Sequence, residues 1–318
     1  MGRIDEALRR AGEDDGATVS VPQPTANATD VFTSPWTFQG ETPTEVGLRP
    51  PEPVALSTDT ATSVDLGVPE GPLGVFQGFP SELAGRIVTV AGASPMLSEQ
   101  FRRLAATLHH AQLVQGTKVV MITSANPADG KTLTATNLAL TLSESYRRQV
   151  LLIDADLRRP SLHDVFRVPN VVGLNEGLQS RDNAKLNVLR ISETLTLLPA
   201  GRPDPDPMSS LTSQRMGEIL REAASRFDWV IVDTAPIGLL ADANLLSTMV
   251  DGALLVVRAN QTPFAAVNQA LTNLGRDRIL GVVLNATESS GDHSVHYGRY
   301  GYTTEGPQQG SMSIAKTD

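Results

Sequence analysis

Cysteine is absent from all 318 residues. Disulfides, iron–sulfur clusters and thiolate zinc sites are therefore excluded, and a reducing compartment is compatible with the chain. Aromatic residues make up only 4%. No apolar run reaches the roughly 18 residues that read as a membrane-spanning helix. The first fifteen residues, MGRIDEALRRAGEDD, lack the apolar core of a signal peptide. A basic excess is missing too. The net charge is −9, so the global field favours neither nucleic acid nor an anionic membrane. The expected location is the cytoplasm, with any membrane association supplied by another chain.

Proline is unevenly spread. Ten of the 21 prolines precede residue 81, in a stretch rich in Thr, Ser, Gly and acidic residues with no apolar period. Residues 1–80 read as disordered, with one short amphipathic helix over residues 3–12 that places Ile4, Ala7, Leu8 and Ala11 on one face. Residues 81–286 read as the folded domain. The tail, 287–318, is polar and glycine-rich and reads as flexible. It carries three of the four tyrosines, Tyr297, Tyr300 and Tyr302.

The stretch from Lys118 to Thr132, KVVMITSANPADGKT, organises the domain. A β-branched apolar run is followed by a loop, Ala125, Asn126, Pro127, Ala128, Asp129, Gly130, Lys131 and Thr132. Leu133 then begins a helical pattern. Strand, loop with Gly-Lys-Thr, then helix is the context of a P-loop. Loop and helix N–H groups cradle phosphates, Lys131 adds a point charge, and the Thr132 hydroxyl can ligate Mg²⁺. Ala125 stands where the strict pattern has glycine.

Apolar strands alternate with helices along the rest. Strands are expected at 86–90, 150–153, 188–191, 195–198, 229–232, 253–257 and 279–284. Helices are expected from Ser94-Pro95, with Leu97, Phe101, Leu104 and Leu108 facing the core, and over 131–145, 208–227, 241–250 and 263–274. The implied class is α/β, a P-loop fold with a mostly parallel sheet covered on both faces. Ligands in such sheets lie at the carboxyl ends of strands, where the P-loop, Asp154 and Asp233 fall.

Phosphoryl transfer needs a cradle, a metal and a group that handles the acceptor's proton. Thr132, Asp154, Asp156 and Asp233 are the Mg²⁺ candidates. On extended backbone, Asp154 and Asp156 point to one side, toward a terminal phosphate; spacing does not divide their roles. Arg158 and Arg159 are placed to steady phosphate or pair with a carboxylate.

VLLIDADLRRP (Val150 to Pro160), WVIVDTAP (Trp229 to Pro236) and SANPADGKT (Ser124 to Thr132) resemble the A′, Walker B and Walker A motifs of the bacterial tyrosine autokinases of capsule and exopolysaccharide synthesis. Ala128 replaces a usual glycine. LLPAGRPDPDP (Leu197 to Pro207) and VDGALLVVR (Val250 to Arg258) are also similar to family segments. The resemblance spans about Pro95 to Asn285. It implies an ATP- and Mg²⁺-dependent protein-tyrosine kinase that phosphorylates its own tail and regulates polymer export. In that scheme Lys131 holds the terminal phosphates, and Thr132, Asp156 and Asp233 manage Mg²⁺. Asp154 orients or deprotonates the tyrosine, and Asn285 contacts adenine. Tyr297, Tyr300 and Tyr302 are the acceptors, presented by a neighbouring subunit. The implied partners are a transmembrane chain-length regulator whose cytoplasmic tail activates the kinase, further copies of the chain in a ring, and a cognate tyrosine phosphatase. The ring contact of the family uses Glu-x-x-Arg-x-x-Arg; Glu99 and Arg102 match, but the third place is Ala105. A positioning ATPase of the Min/Par type would carry a lysine at position 126, where this chain has Asn126. A nucleotide-binding export scaffold without transfer would not need the acidic set.

Overall fold

The computed structural model describes residues 66, 76–90, 93–180, 186–238 and 241–287. The strand that leads into the P-loop is β1, Val119–Ser124, with all six residues buried. The other strands are β2 (Val150–Asp154), β3 (Leu189–Arg190), β4 (Leu195–Leu198), β5 (Trp229–Asp233), β6 (Gly252–Arg258) and β7 (Ile279–Asn285). They form one sheet in the order β3-β4-β2-β5-β1-β6-β7. Every neighbouring pair is parallel except β3 and β4. That exception follows from the short connection, since a parallel return needs a crossover of a dozen or more residues.

Eight α-helices cover the sheet among the described residues: α1 (Pro95–Gln115), α2 (Lys131–Leu140), α3 (Leu162–Phe166), α4 (Leu174–Gln179), α5 (Met208–Leu211), α6 (Gln214–Arg226), α7 (Ala241–Leu246) and α8 (Phe264–Leu274). On one face Phe101 and Leu108 of α1 and Leu138 of α2 pack with Ile122, Leu152 and Ile231. On the other, Ile219 and Leu220 of α6 pack with Leu151 and Val230, and Leu271 of α8 with Met121 and Leu255. The strand residues are apolar on both sides because both sides are covered.

Four expectations change. Residues 86–90 form no strand: Arg86 closes a 3₁₀ turn, Ser81–Arg86. Two backbone groups of this run are held instead by Asn137 of α2. Its Nδ2 donates to the Arg86 carbonyl at 2.7 Å and its Oδ1 accepts from the Val88 N–H at 3.0 Å. The helix expected over 208–227 breaks in two, because Ser213 turns out of the helix and caps α6, its Oγ accepting from the Met216 N–H at 3.3 Å. The helix expected over 241–250 stops at Leu246. Packing against the domain also starts before Ser81. Leu66 is fully buried, and Phe76 and Phe79 lie with their ring centroids 5.7 and 5.3 Å from that of Phe166. The helix read over residues 3–12, Tyr297, Tyr300 and Tyr302 lie outside the described residues.

Candidate active site

The loop after β1 is held in a shape that its sequence does not adopt unaided. Ala128 has φ 65° and Gly130 has φ 101°. The first is a left-handed residue with a side chain, a strained position that its surroundings must hold. Gly130 has a further reason to be glycine: a Cβ there would lie 1.9 Å from Asn285 Nδ2. Asp129 is buried, and its carboxylate accepts from the Asn126 N–H at 2.9 Å and from the Thr262 hydroxyl at 2.8 Å. Lys131 opens α2 and is only 8% exposed. The loop therefore delivers one lysine and the first N–H groups of a helix to one spot, an anion site by both charge and dipole. Thr132 follows, its hydroxyl 2.9 Å from that of Ser161.

β5 and β2 bring in the carboxylates. Asp154 and Asp233 end these adjacent strands as register partners. Both are fully buried. Among the described residues neither Asp233 oxygen has a hydrogen-bond partner of ordinary geometry, although the Thr234 N–H lies near. Burial pushes its pKa up to about 7, against the pull of the Lys131 charge and of the nearby Thr132 hydroxyl, which lies outside hydrogen-bonding geometry. Burial first, and then the negative Asp233, push Asp154 well above the ordinary carboxylate range.

The two aspartates of the Asp-Ala-Asp run do not face the same way. β2 ends at Asp154, so the alternation of an extended chain stops there. The Asp154 oxygens turn inward and accept backbone N–H groups, from Ser161 and Leu162 at 3.0 Å each and from Asp156 at 3.3 Å. Asp156 is part-exposed and lines a cleft of about 1440 Å³ beside the P-loop. Lys131, Thr132, Ser161 and Arg159 line the same cleft. Arg158 binds the Pro205 carbonyl and pairs with Asp206 at 3.8 Å, which anchors it to the Pro-rich turn. Arg159 is exposed, and its backbone N–H donates to Asp156 Oδ1 at 3.1 Å.

These residues fit Mg²⁺. A sealed carboxylate with two unsatisfied oxygens beside a threonine hydroxyl and a lysine is short of a cation. Among the described residues no group of three or more His, Asp or Glu side chains forms a self-sufficient metal site. That suits a cation that keeps waters and takes most of its oxygens from phosphates.

Asn285 does not project freely toward a base. Its Nδ2 donates to the Asp129 carbonyl at 2.8 Å, and its Oδ1 accepts from the Ala286 N–H at 2.8 Å. Ser161, Thr262, Arg258 and Asn137 also belong to this region, and sequence reading did not single them out. Each is a lone polar residue whose importance depends on a contact across the fold.

No protein-family model matches the chain. It is 36% identical over 225 residues to the tyrosine-protein kinase YwqD of Bacillus subtilis, across 93% of that protein and 70% of this chain. The chain belongs to the bacterial tyrosine-protein kinases. A larger member, the tyrosine-protein kinase wzc of Salmonella typhimurium, is 30% identical over 220 residues, and this chain spans 30% of its length. Among solved structures, the kinase domain of the Escherichia coli tyrosine kinase ETK superposes with a TM-score of 0.55 at 31% identity. That match covers 60% of this chain and 78% of the other. In this tyrosine-protein kinase the cleft is lined by Lys131 and Thr132 of the P-loop and by Asp156, while Asp154 and Asp233 lie fully buried at the ends of their strands. No helix among its described residues is long and apolar enough to cross a membrane.

Proposed function

We propose that this tyrosine-protein kinase transfers the terminal phosphoryl group of ATP, with Mg²⁺, to Tyr297, Tyr300 and Tyr302 in its own tail, residues 287–318. The observation that carries the proposal is Asp233: a sealed carboxylate with no hydrogen-bond partner of ordinary geometry among the described residues, within reach of the Lys131 charge and near the Thr132 hydroxyl of a formed P-loop. Residues Ala125 to Thr132 wrap the phosphates, with the N–H groups at the start of α2 pointing at them. Lys131 offsets the charge that shifts toward the leaving β-phosphate. Thr132 and Asp233 would hold Mg²⁺, which neutralises phosphate charge when bound. Asp156 faces the open side and would take the proton of the tyrosine hydroxyl. The phenolic oxygen then bonds to the γ-phosphorus as the bridge to the β-phosphate breaks, and ADP leaves. The geometry favours Asp156 over Asp154 for the proton, since the Asp154 oxygens are occupied by three backbone N–H groups. Asp154 instead shapes the segment that carries Ser161 to Thr132.

A flexible tail on a neighbouring subunit raises the local concentration of acceptor at the site. In this reading the kinase sits at the inner face of the plasma membrane through a transmembrane chain-length regulator, assembles with copies of itself, and adjusts capsule or exopolysaccharide export; a phosphatase resets it. Glu99 is part-exposed on α1, where it pairs with Arg103 at 3.4 Å and Arg102 at 4.0 Å; a contact with a neighbouring copy would have to share or replace these pairs.

The test is direct. The full chain is incubated with Mg²⁺ and ATP, with and without the cytoplasmic tail of a membrane partner, and phosphotyrosine is mapped by mass spectrometry. Phosphate is expected on Tyr297, Tyr300 or Tyr302, and Lys131→Ala should cut it by at least about a hundredfold. ATP hydrolysis with no phosphotyrosine under either condition would overturn the proposal.

A further inference from the structure

The P-loop is tied from behind by side chains of the β6–β7 rim. The Asp129 carboxylate bridges the Asn126 N–H, inside the loop, and the Thr262 hydroxyl, in the turn that leads to α8. Thr262 is itself fixed, since its Oγ1 accepts from the Arg258 N–H at 3.0 Å. Arg258 reaches across to donate from Nη1 to the Ala128 carbonyl at 3.0 Å. Asn285 donates to the Asp129 carbonyl. Three rim residues thus meet three consecutive features of the loop: the left-handed Ala128, the buried Asp129 and the approach to Gly130. A threonine that accepts from one backbone N–H and donates to a buried carboxylate has its hydroxyl proton direction decided, which neither valine nor alanine can reproduce.

We infer that Thr262 and Asp129 form a positioning pair that pre-shapes the phosphate loop, so that nucleotide affinity in this kinase depends on the turn after β6. Neither residue is a catalytic one: the Asp129 oxygens are directed to Asn126 and Thr262, and Thr262 does not reach the phosphate side of the loop. The inference rests on the nucleotide-binding reading above. Its physical content is preorganisation. A loop already held at φ 65° in Ala128 has no ordering left to do when phosphate arrives. Without the pair the loop relaxes, and the ordering must be supplied by bound nucleotide. The effect therefore falls on binding more than on turnover at saturation.

The experiment compares Thr262→Val with Thr262→Ser in the full chain. Binding of a fluorescent ADP analogue with Mg²⁺ is titrated, and KM and kcat are measured for phosphotyrosine formation. Thr262→Val should weaken the analogue and raise KM for ATP by about tenfold, with kcat within about twofold, whereas Thr262→Ser should restore both constants. In an Asp129→Ala background, Thr262→Val should have little further effect, because the partner is already gone. That cycle distinguishes the pair from general loss of fold, which would add. Wild-type affinity in Thr262→Val, failure of serine to rescue, additive effects, or a fall in kcat at constant KM would each overturn the pair. A wild-type chain that binds no nucleotide would instead overturn the reading beneath it, and the pair with it.

Discussion

Asp154 and Asp233 stand side by side at the ends of adjacent parallel strands, in register, and neither exposes any surface. Burial raises the proton affinity of both carboxyls, and the charge of Asp233 raises that of Asp154 further. The metal-free kinase therefore holds a proton that its unfolded chain would release. For Asp233 the shift runs from 3.8 to about 7. A raised pKa gives stability that is complete at the low end of that window and is lost as pH rises through the folded value. Without metal or nucleotide, the thermal midpoint should fall between about pH 4 and about pH 7, and Asp233→Asn should flatten the fall. Mg²⁺ with nucleotide should flatten it too, because a cation favours the ionised form. Calorimetry across that range checks the claim, and an unchanged slope in Asp233→Asn would refute it.

The two aspartates of the A′ motif should separate by phenotype. Asp154→Ala leaves three backbone N–H groups without an acceptor. A stability loss on the order of 2–4 kcal/mol is expected, lessened by relief of the repulsion from Asp233. Asp156→Asn should leave stability within about 0.5 kcal/mol, since its side chain is part-exposed, and keep nucleotide binding. Transfer should nevertheless drop by about 10²–10⁴, the usual contribution of a general base. Denaturant titration beside phosphotyrosine quantification reads both. If Asp156→Asn transfers normally and a folded Asp154→Asn does not, the proton belongs to Asp154.

Gly130→Ala should remove nucleotide binding, and Asn285→Ala should not rescue it. Cutting Asn285 back relieves the contact at 1.9 Å but leaves φ at 101°, which an alanine rarely adopts. Isothermal titration of the single and double variants with ADP settles the point. Recovery in the double variant would mean that the clash alone, and not backbone strain, demands glycine.

Much of this site was legible because strong signals coincide. Continuous apolar runs ending in Asp154 and Asp233 mark the carboxyl ends of buried strands, and Gly130-Lys131-Thr132 marks a helix start. Sequence failed where a rule was carried past its range. The alternation that put Asp154 and Asp156 on one side holds only while the chain stays extended, and β2 ends at Asp154. The run from Arg86 to Val90 has strand-like residues, but its backbone partner is a side chain, Asn137, 51 residues from Arg86. Ser161 and Thr262 give no local signal at all; their meaning comes from Thr132 and Asp129 across the fold.

The boundary read at residue 81 also places the start of the folded unit too late, and truncation should show it. Phe76 and Phe79 meet each other with ring centroids 4.9 Å apart and close over Phe166, which is fully buried at the end of α3. Leu66 is buried against the opposite face, and its carbonyl accepts from Arg226 Nη1 at 2.8 Å. Aromatic contacts of this kind add about 0.5–1.5 kcal/mol beyond the area they bury. A chain beginning at Ser81 should therefore melt lower than one beginning at residue 60. Phe76→Ala and Phe79→Ala in the longer chain should each cost about 1–3 kcal/mol, less than a fully buried phenylalanine would. Because α3 follows directly on Ser161, the shorter chain should also show a weakened Thr132–Ser161 contact, read as faster hydrogen exchange at the Ser161 and Leu162 amides that Asp154 accepts. Equal melting and equal exchange in the two chains would mean that Leu66, Phe76 and Phe79 lie on the domain without supporting it.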